Sequence, residues 1–386
     1  MNKNTKDPAW DLAQNPEGSP ETQRSLTLKA FAKINLGLDV VGVLENGYHQ
    51  VDMIMQMIDL HDLVTVTVAA CPGAEGSNLE RTPEPEIAVR TSSGLVPDGP
   101  GNLAWKAAKL MLDRGASGAE LELEAVKSRA EAEKPKTEGG KPAAGGESES
   151  KSKSAGGLRV SINIEKNIPV AAGLAGGSGN AAAVMIALNQ LLNLDFSLGE
   201  LCRLGKVIGA DVPFSICGIV KGNPQVSPRL REDPGACTCA RARGIGEELT
   251  PLRPLDAGIL LSKPDIEVST RDVYRGIDEI IGDTKDIRVD IEAIQQGLSH
   301  RNHQKIIENM GNTLELFTLK VYPIVMYTKN MFQEKCHASA VLMSGSGPTV
   351  YGIYQDAPGE STFPERDFSI LKEINSQTYL CRTLTI

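Results

Sequence analysis

The sequence predicts an α+β protein built from two domains, and three observations support that prediction. The chain has 386 residues, more than a single hydrophobic core usually organises. Apolar residues near the N-terminus recur with the two-residue period of half-buried strands. Further along the chain, segments with the apolar spacing of amphipathic helices alternate with short strands.

The composition excludes several classes of protein. Hydrophobic residues make up 41% and charged residues 23% of the chain, as in ordinary globular proteins. The net charge of −9 argues against non-specific binding to nucleic acid or anionic membranes, although a local basic pocket for a phosphate stays compatible with it. The sequence shows no membrane span, signal peptide or disulfide framework, so we expect a cytoplasmic protein without a fixed metal site.

Two segments are expected to remain outside the folded domains. Residues 1–24 are polar and predict a disordered tail. The segment Lys127–Gly157 contains no apolar residue except Ala and predicts a disordered insertion within one domain. The irregular segment Gly222–Arg243 indicates a domain junction, so we assign the two domains to residues 25–243 and 244–386.

The clearest strand runs over Leu26–Val40, where every even position is apolar. Its odd positions include Lys33 and Asn35, which should therefore point the same way; a solvated polar face is an equal alternative. Further strands are predicted at Val64–Val68, Leu158–Ile164 and Ala338–Met343. Helices are predicted at Asn102–Arg114, 181–192, 197–208, Thr270–Ile281, Ile287–Gly297 and Leu316–Phe332.

One helix carries a start signal and a stop signal. Ser197 and Glu200 have the spacing of a capping box, which predicts that a helix begins there. The sequence Gly209-Ala-Asp211-Val-Pro213 should end that helix, which places Asp211 in a loop.

Glycine is concentrated just before the helix at 181–192. The sequence Gly173-Leu-Ala-Gly-Gly-Ser-Gly179 predicts that a ligand approaches the backbone closely, and a helix N-terminus favours an anion. No Walker A sequence occurs. Gly177-Ser-Gly179-Asn-Ala-Ala182 matches a dinucleotide fingerprint in form, but it does not follow a strand directly, as that fingerprint requires. A tight loop packed against a neighbour is the remaining structural alternative.

Four stretches in the same order resemble the GHMP kinases, which include galactokinase and the homoserine and mevalonate kinases. Besides the glycine loop, they are Ala30–Leu38, Gly209–Phe214 and Leu342–Val350. Gly47-Tyr48-His49 resembles a signature motif of the branch of that family that acts on cytidyl-diphospho-methylerythritol. The resemblance implies an N-terminal ribosomal-S5-like ATP-binding domain and a C-terminal ferredoxin-like α/β sandwich domain.

The resemblance also implies a reaction. It is the ATP-dependent phosphorylation of the 2-hydroxyl of 4-(cytidine 5'-diphospho)-2-C-methyl-D-erythritol in the non-mevalonate isoprenoid pathway. Asp211 would take the proton of that hydroxyl, and Lys33 would neutralise developing charge and hold Asp211 ionised. Asn35 would orient the acceptor.

The resemblance assigns ATP to the glycine loop. Mg²⁺ is expected to accompany ATP and to bridge its phosphates, with Ser178 as a candidate ligand. Asn102 matches a position that contacts adenosine, and a helix N-cap is an equal alternative there. The implied ATP-binding residues are Asn102, Pro169, Gly173, Leu174, Ala175, Gly176, Gly177, Ser178, Gly179 and Asn180.

The resemblance places two tyrosines against the cytosine ring. Tyr48 would cover one face and Tyr274 the other, while His49 would meet the ring edge. The alternative makes Tyr48 a turn residue and Tyr274 a packing residue of a helix. Gly345, Ser346 and Gly347 would form a second loop over the phosphates of the substrate.

Two positions depart from the family pattern. Ala175 replaces a third glycine, which adds a methyl group beside the phosphates. Gly179 replaces a second hydroxyl residue, which removes a potential ligand of phosphate or magnesium. A homoserine or mevalonate type of kinase, a related decarboxylase and an inactive nucleotide sensor stay open as alternatives, as do a monomer and a homodimer.

Overall fold

The computed structural model describes residues 23–45, 47–70, 84–115, 157–281, 288–355 and 365–386. The predicted tail and insertion lie almost entirely outside these residues. The described strands are β1 (Arg24–Val43), β2 (His49–Ala70), β3 (Glu86–Thr91), β4 (Leu158–Glu165), β5 (Cys239–Arg243), β6 (Glu248–Pro251), β7 (Gly258–Lys263), β8 (Gly311–Asn312), β9 (Ala340–Met343), β10 (Val350–Tyr354) and β11 (Gln377–Arg382).

The helices fill the intervals between these strands. They are α1 (103–115), α2 (Gly176–Leu191), α3 (Leu198–Ile208), α4 (Val212–Gly222), α5 (Pro228–Arg231), α6 (Thr270–Ile281), α7 (Ile291–His300), α8 (His303–Asn309), α9 (Glu315–Val321), α10 (Pro323–Lys335) and α11 (Glu365–Ile374). Every helix of the described ranges is too short or too polar to cross a membrane.

The first sheet is organised by the long antiparallel hairpin of β1 and β2. Its strands follow the order β3-β4-β2-β1-β8, and the hairpin of β5 and β6 joins it through β2. Residues 63–70 of β2 pair with β4, and residues 53–56 of β2 pair with β5. Helices α2 and α4 cover this sheet, and α2 is buried along nearly its whole length.

The two-residue period of β1 was predicted correctly, but the burial of its polar face was not. Register shifts after Phe31 and Asn35 interrupt the pairing with β2, and such bulges re-aim the side chains that follow. As a result Ala32 and Ile34 belong to a second hydrophobic cluster, while Leu28 packs in the first. The polar face is buried as well, with Lys33 5% and Asn35 0% exposed, so the solvated alternative is wrong.

The second sheet contains β11-β7-β10-β9 in that order, with every neighbouring pair antiparallel. Numbered along the chain, the strands follow the order four-one-three-two, which is that of a ferredoxin-like βαββαβ unit. The predicted C-terminal fold is therefore confirmed. Its sheet and the outer face of β1 share the second hydrophobic cluster, which includes Ile34, Ile259 and Tyr351.

The boundary predicted after residue 243 falls inside the β5–β6 hairpin. Gly244 and Gly246 have positive φ angles and form its turn, so the first sheet continues through Pro251. The segment before it is no junction either, since Leu230 and Cys239 are buried in the protein core. The chain crosses to the second sheet only at residues 252–257.

Helix boundaries followed local chemistry closely. The capping box is confirmed, because Ser197 N donates to Glu200 Oε2 (2.8 Å) and Ser197 Oγ accepts from Glu200 N. The predicted helix Leu316–Phe332 is instead two helices, α9 and α10. Pro323 opens α10, and a proline cannot continue a preceding helix because it lacks an N–H group.

Candidate active site

A cleft of about 1250 Å³ gathers most of the predicted site residues on one surface. Among the described residues, five basic side chains line it, namely Lys33, Lys166, Lys206, Arg271 and Arg275, but only one carboxylate, that of Asp211. Lys166 and Lys206 are paired with carboxylates behind the lining, so Arg271 and Arg275 supply the excess positive charge, which suits a phosphorylated ligand. The other predicted residues along it are Tyr48, His49, Asn102, Pro169, Gly173, Leu174, Ala175, Gly176, Gly177, Ser178, Asn180, Tyr274, Gly345 and Ser346.

The glycine loop leads directly into the N-terminus of α2. Its first intrahelical bond is Gly179 N to Ala175 O (2.8 Å), so the amides of residues 176–178 have no acceptor within the helix. Within the described residues no side chain caps α2, and none of its first-turn residues is acidic. Left-handed φ angles at Ala171, Gly173 and Ala175 curl the preceding loop. Free amides and the positive helix end together favour an anion.

The two glycine loops pack against one another. Ser344 Oγ donates to Gly173 O (3.0 Å), and a Cβ atom on Gly173 would lie 2.2 Å from the carbonyl oxygen of Ser344. Gly173 also has a φ of +72°. Both constraints require glycine at this position.

Lys33 lies beneath the glycine loop and faces Asp211. Its backbone N–H donates to Leu174 O (3.1 Å), which ties the loop to β1. Its Nζ lies 3.8 Å from Asp211 Oδ2 and donates to Asn35 Oδ1 (2.8 Å). The predicted common face of Lys33 and Asn35 is therefore present.

Asn35 is placed behind Lys33 rather than on the cleft. It is fully buried, and its backbone carbonyl accepts a hydrogen bond from Tyr351 OH (2.6 Å). The cleft lining does not include it. Its contact with the Lys33 ammonium makes it a positioning residue for that cation.

Asp211 occupies the N-cap position of α4, but its side chain makes no capping hydrogen bond. The side chain is 31% exposed and lines the cleft. Its carboxylate thus interacts with the ammonium of Lys33 instead of with the helix end.

The second loop is held by residues that the sequence did not single out. Asn312 Nδ2 donates to Met343 O and Gly345 O, both at 2.8 Å. Thr270 Oγ1 lies 2.8 Å from Ser346 Oγ. Gly347 is turned away from the cleft, where an added Cβ would strike Met343 Sδ at 2.6 Å. Both Asn312 and Thr270 act through long-range contacts that no local pattern reveals.

The aromatic residues meet at the end of the cleft nearest α6. The rings of His49 and Tyr274 lie 4.8 Å apart at 38°, and His49 Nε2 lies 2.6 Å from Asp278 Oδ1. Tyr48 is 61% exposed in the turn between β1 and β2. Burial, followed by the negative charge of Asp211, raises the pKa of Tyr274. The ring of His49 is thus in contact with that of Tyr274.

Lys166 is a cationic group beside the glycine loop that sequence reasoning missed. It forms an ion pair with the fully buried carboxylate of Asp62. Asp62 Oδ1 also accepts from the backbone amides of Asn167 (2.7 Å) and Ile168 (2.8 Å). A Cβ on Gly176 would lie 3.2 Å from Lys166 Nζ, so the ammonium reaches the start of α2. No periodicity marks this lysine in the sequence.

Gly179 does not leave a gap in the cleft. A Cβ atom at this position would lie 3.4 Å from Phe31 O and 3.7 Å from Ala30 Cβ, so a side chain there would face β1. The expectation that this glycine removes a ligand from the cleft is wrong, because the first turn of α2 directs position 179 away from it.

Two asparagines of the cleft differ in their polar contacts. Asn102 is the N-cap of α1, since its Oδ1 accepts from Ala104 N and its Nδ2 donates to Pro97 O, both at 2.9 Å. Asn180 is 2% exposed, and its Oδ1 has no hydrogen-bond partner within the described residues. Such an unpaired acceptor is costly unless a ligand or water satisfies it. A ligand held at the start of α2 fits that requirement.

Ala175→Gly should raise the melting temperature by about 1–3 °C. Ala175 has a φ of +57°, and a left-handed alanine costs about 1–2 kcal/mol, which exceeds the unfolded-state entropy that glycine adds. The departure at this position therefore strains the backbone rather than only adding a methyl group. Thermal unfolding measures the change, and the matched Ala182→Gly change within α2 should lower the melting temperature. Equal losses in both variants would show that Ala175 is unstrained.

Comparison with known proteins places these features in a family context. Residues 146–219 match the family described as GHMP kinases N terminal domain, and residues 291–361 match GHMP kinases C terminal. A protein of Lachnospira eligens named 4-diphosphocytidyl-2-C-methyl-D-erythritol kinase is 35% identical over 94% of this chain and 99% of its own. A protein of the same name from Acetivibrio thermocellus is 36% identical over 86% and 91%.

Solved structures share the fold over nearly the whole chain. A crystal structure of 4-(cytidine 5'-diphospho)-2C-methyl-D-erythritol kinase superposes with a TM-score of 0.60 at 24% identity, covering 93% of this chain and 99% of the other. Mevalonate kinase of L. major in complex with R-mevalonate gives 0.56 at 12% identity, covering 95% and 98%. At these identities the structures support the architecture alone.

Proposed function

Because the chain belongs to the 4-diphosphocytidyl-2-C-methyl-D-erythritol kinases of the GHMP family, we propose that it transfers the γ-phosphoryl group of ATP to its cytidyl substrate. The acceptor is the 2-hydroxyl of 4-(cytidine 5'-diphospho)-2-C-methyl-D-erythritol, in the non-mevalonate isoprenoid pathway. The observation that supports this chemistry best is that Lys33, Asp211 and the free amides of α2 all border one cationic cleft.

The residues of the cleft have distinct roles in phosphoryl transfer. Asp211 accepts the proton of the acceptor hydroxyl as its oxygen attacks the γ-phosphorus, and ADP leaves from the opposite side. Lys33, held by Asn35, stabilises the charge that develops between these groups. The amides at the start of α2 bind the β- and γ-phosphates, and Lys166 adds positive charge beside them.

We propose that ATP enters the cleft with Mg²⁺, which neutralises and orients its phosphates. The described residues contain no cluster of three or more His, Cys, Asp or Glu side chains that could hold a metal ion by itself. The free amides at the start of α2 instead suit a nucleotide that brings its own metal. Ser178 supplies a hydroxyl group in the first turn of that helix. The unpaired Oδ1 of Asn180 offers one further acceptor there.

We propose that the aromatic end of the cleft binds cytosine. Tyr48 and Tyr274 supply faces for stacking, and His49 supplies an edge partner. Donation from His49 Nε2 to Asp278 would leave Nδ1 as an acceptor for the exocyclic amino group of cytosine. Uracil carries a carbonyl at that position and would be rejected.

Asp278→Ala should raise the KM for the cytidine substrate about three- to tenfold and leave the KM for ATP unchanged. The variant removes the partner that holds the His49 tautomer, a charge-assisted contact at a half-exposed site (46% exposed). Steady-state kinetics with each substrate varied in turn measure the effect. Glu279→Ala, an exposed carboxylate on the same helix, is the matched control. An unchanged KM for the cytidine substrate would remove Asp278 from the recognition site.

The proposed function is tested by coupled ADP release with three acceptors in parallel. The cytidyl substrate should support turnover, while homoserine and mevalonate should not. Mass spectrometry of the product should show one added phosphoryl group and no loss of CO₂. Turnover with mevalonate, decarboxylation, or ATP binding without any turnover would each contradict the proposal.

A further inference from the structure

Three thiols meet behind the loop that carries Asp211. Cys202 on α3 and Cys217 on α4 have their sulfur atoms 3.7 Å apart. Cys237 interacts with Cys217 through its own thiol. Cys217 and Cys237 are buried, whereas Cys202 is partly exposed. These thiols are not arranged to hold a metal ion, and the phosphoryl transfer described above uses none of them.

The close approach of the two sulfurs follows from a glycine. Gly205 on α3 lies against α4, where a Cβ atom would be 2.8 Å from Ile216 Cδ1 and 2.9 Å from Val212 Cγ1. A larger residue would clash with these side chains, so glycine permits the close packing of α3 against α4. Residues 209–211 connect the two helices, so Asp211 lies in the loop between the two thiol-bearing segments.

We propose that Cys202 and Cys217 form a redox-sensitive modification site, at which a peroxide joins the two thiols in a disulfide that displaces Asp211. The partly exposed Cys202 meets the oxidant, and the buried Cys217 acts as the resolving thiol. The site itself is independent of the proposed function, but its effect on turnover rests on that function.

The chemistry balances with hydrogen peroxide as the oxidant. The Cys202 thiolate attacks one oxygen, so that an S–O bond forms, the O–O bond breaks, and the departing hydroxide takes a proton to become water. The sulfur of Cys217 then attacks the sulfenic acid of Cys202, forming the S–S bond and expelling hydroxide, which takes the Cys217 proton. Two thiols and one peroxide yield one disulfide and two waters.

The disulfide should move the helices that flank Asp211. An S–S bond is about 2.05 Å long, whereas the sulfurs are now 3.7 Å apart. Cys202 Sγ also lies 3.7 Å from the carbonyl oxygen of Pro213, in the first turn of α4. Movement of Cys202 towards Cys217 would therefore also displace the residues next to Asp211. A displacement near 1 Å at a reacting group can cost about a hundredfold in rate.

Distance favours Cys217 over Cys237 as the partner of Cys202, because the sulfur atoms of Cys202 and Cys217 are only 3.7 Å apart. The contact with Cys202, followed by the contact with Cys237 and by burial, raises the pKa of the Cys217 thiol. Cys217 therefore loses its proton as the S–S bond forms, and the proximity of the two sulfurs offsets its low thiolate fraction.

The test treats the full chain with equimolar hydrogen peroxide and maps its non-reduced peptides by mass spectrometry. We expect a loss of two hydrogens, a linked pair of peptides containing Cys202 and Cys217, and a kcat lowered at least tenfold that dithiothreitol restores. Cys202→Ser should abolish both the link and the inhibition. Cys237→Ser should keep both, as should Cys336→Ser, a matched change of a partly exposed thiol outside the cluster.

Several results would overturn the proposal. They are the absence of the linked peptides, a link to another cysteine, inhibition that persists in Cys202→Ser, or a complete disulfide with full kcat. Because the mass readout needs no substrate, it separates a failure of the thiol site from a failure of the proposed kinase activity.

Discussion

Asp211→Asn should lower kcat at least ~100-fold, the low end for loss of a positioned general base, while ATP binding and the melting temperature change little. The amide keeps the shape of the side chain but cannot accept the hydroxyl proton. Folding should tolerate the change, because the side chain of Asp211 makes no capping bond and is 31% exposed. Coupled ADP release, ATP titration and thermal unfolding measure the three quantities.

The control for this variant is Asp256→Asn, which alters an exposed carboxylate outside the cleft and should leave kcat unchanged. Lys33→Ala should reduce kcat comparably, but it should also lower the melting temperature because it removes the ammonium that donates to the buried Oδ1 of Asn35. The variant of Asp211 is therefore the cleaner test. If it kept more than about a tenth of wild-type turnover, the assignment of the base would fail.

Local chemistry made much of the fold predictable. The capping box at Ser197 and Glu200 uses atoms within three residues of each other, and the alternation along β1 needs only the neighbouring side chains. The glycine loop was recognisable because a run of glycines before a helix has few structural purposes. The residues that produce features of this kind lie within a short stretch of sequence, so the sequence alone reveals them.

Features that depend on distant partners were not predictable in the same way. The burial of Lys33 arises because the second domain packs across β1, and the bulges that re-aim this strand leave no signature in its alternation. Asn312 supports the second glycine loop from a site more than thirty residues earlier in the chain. The ammonium group of Lys166 is held by the buried carboxylate of Asp62, which lies over a hundred residues away.

The domain boundary illustrates the same limit. The segment before residue 243 has mixed composition and no clear period, so it resembled a junction. In the structure its short strand gains stability by pairing with β2. Pairing of that kind is a property of the sheet, and four or five residues are too few to reveal it in the sequence.

The remaining large effect concerns recognition of the base. Tyr48→Ala should raise the KM for the cytidine substrate about five- to a hundredfold, because stacking of a base on an aromatic ring contributes ~1–3 kcal/mol. The KM for ATP should barely change. Tyr48 suits this role because it lies on the cleft with 61% of its surface exposed, so the fold does not depend on its burial.

The contact between His49 and Tyr274 sharpens this test. Their rings are already 4.8 Å apart, so a base that stacks on Tyr274 must displace His49 or bind beside it, whereas Tyr48 lies on the cleft with 61% of its surface exposed. Tyr327→Ala removes another exposed tyrosine, away from the cleft, and should change neither KM. Equal losses for both substrates in Tyr48→Ala, together with a lower melting temperature, would make Tyr48 a packing residue of the turn. The cytosine site would then have to be sought between Tyr274 and Asp211, which both line the cleft.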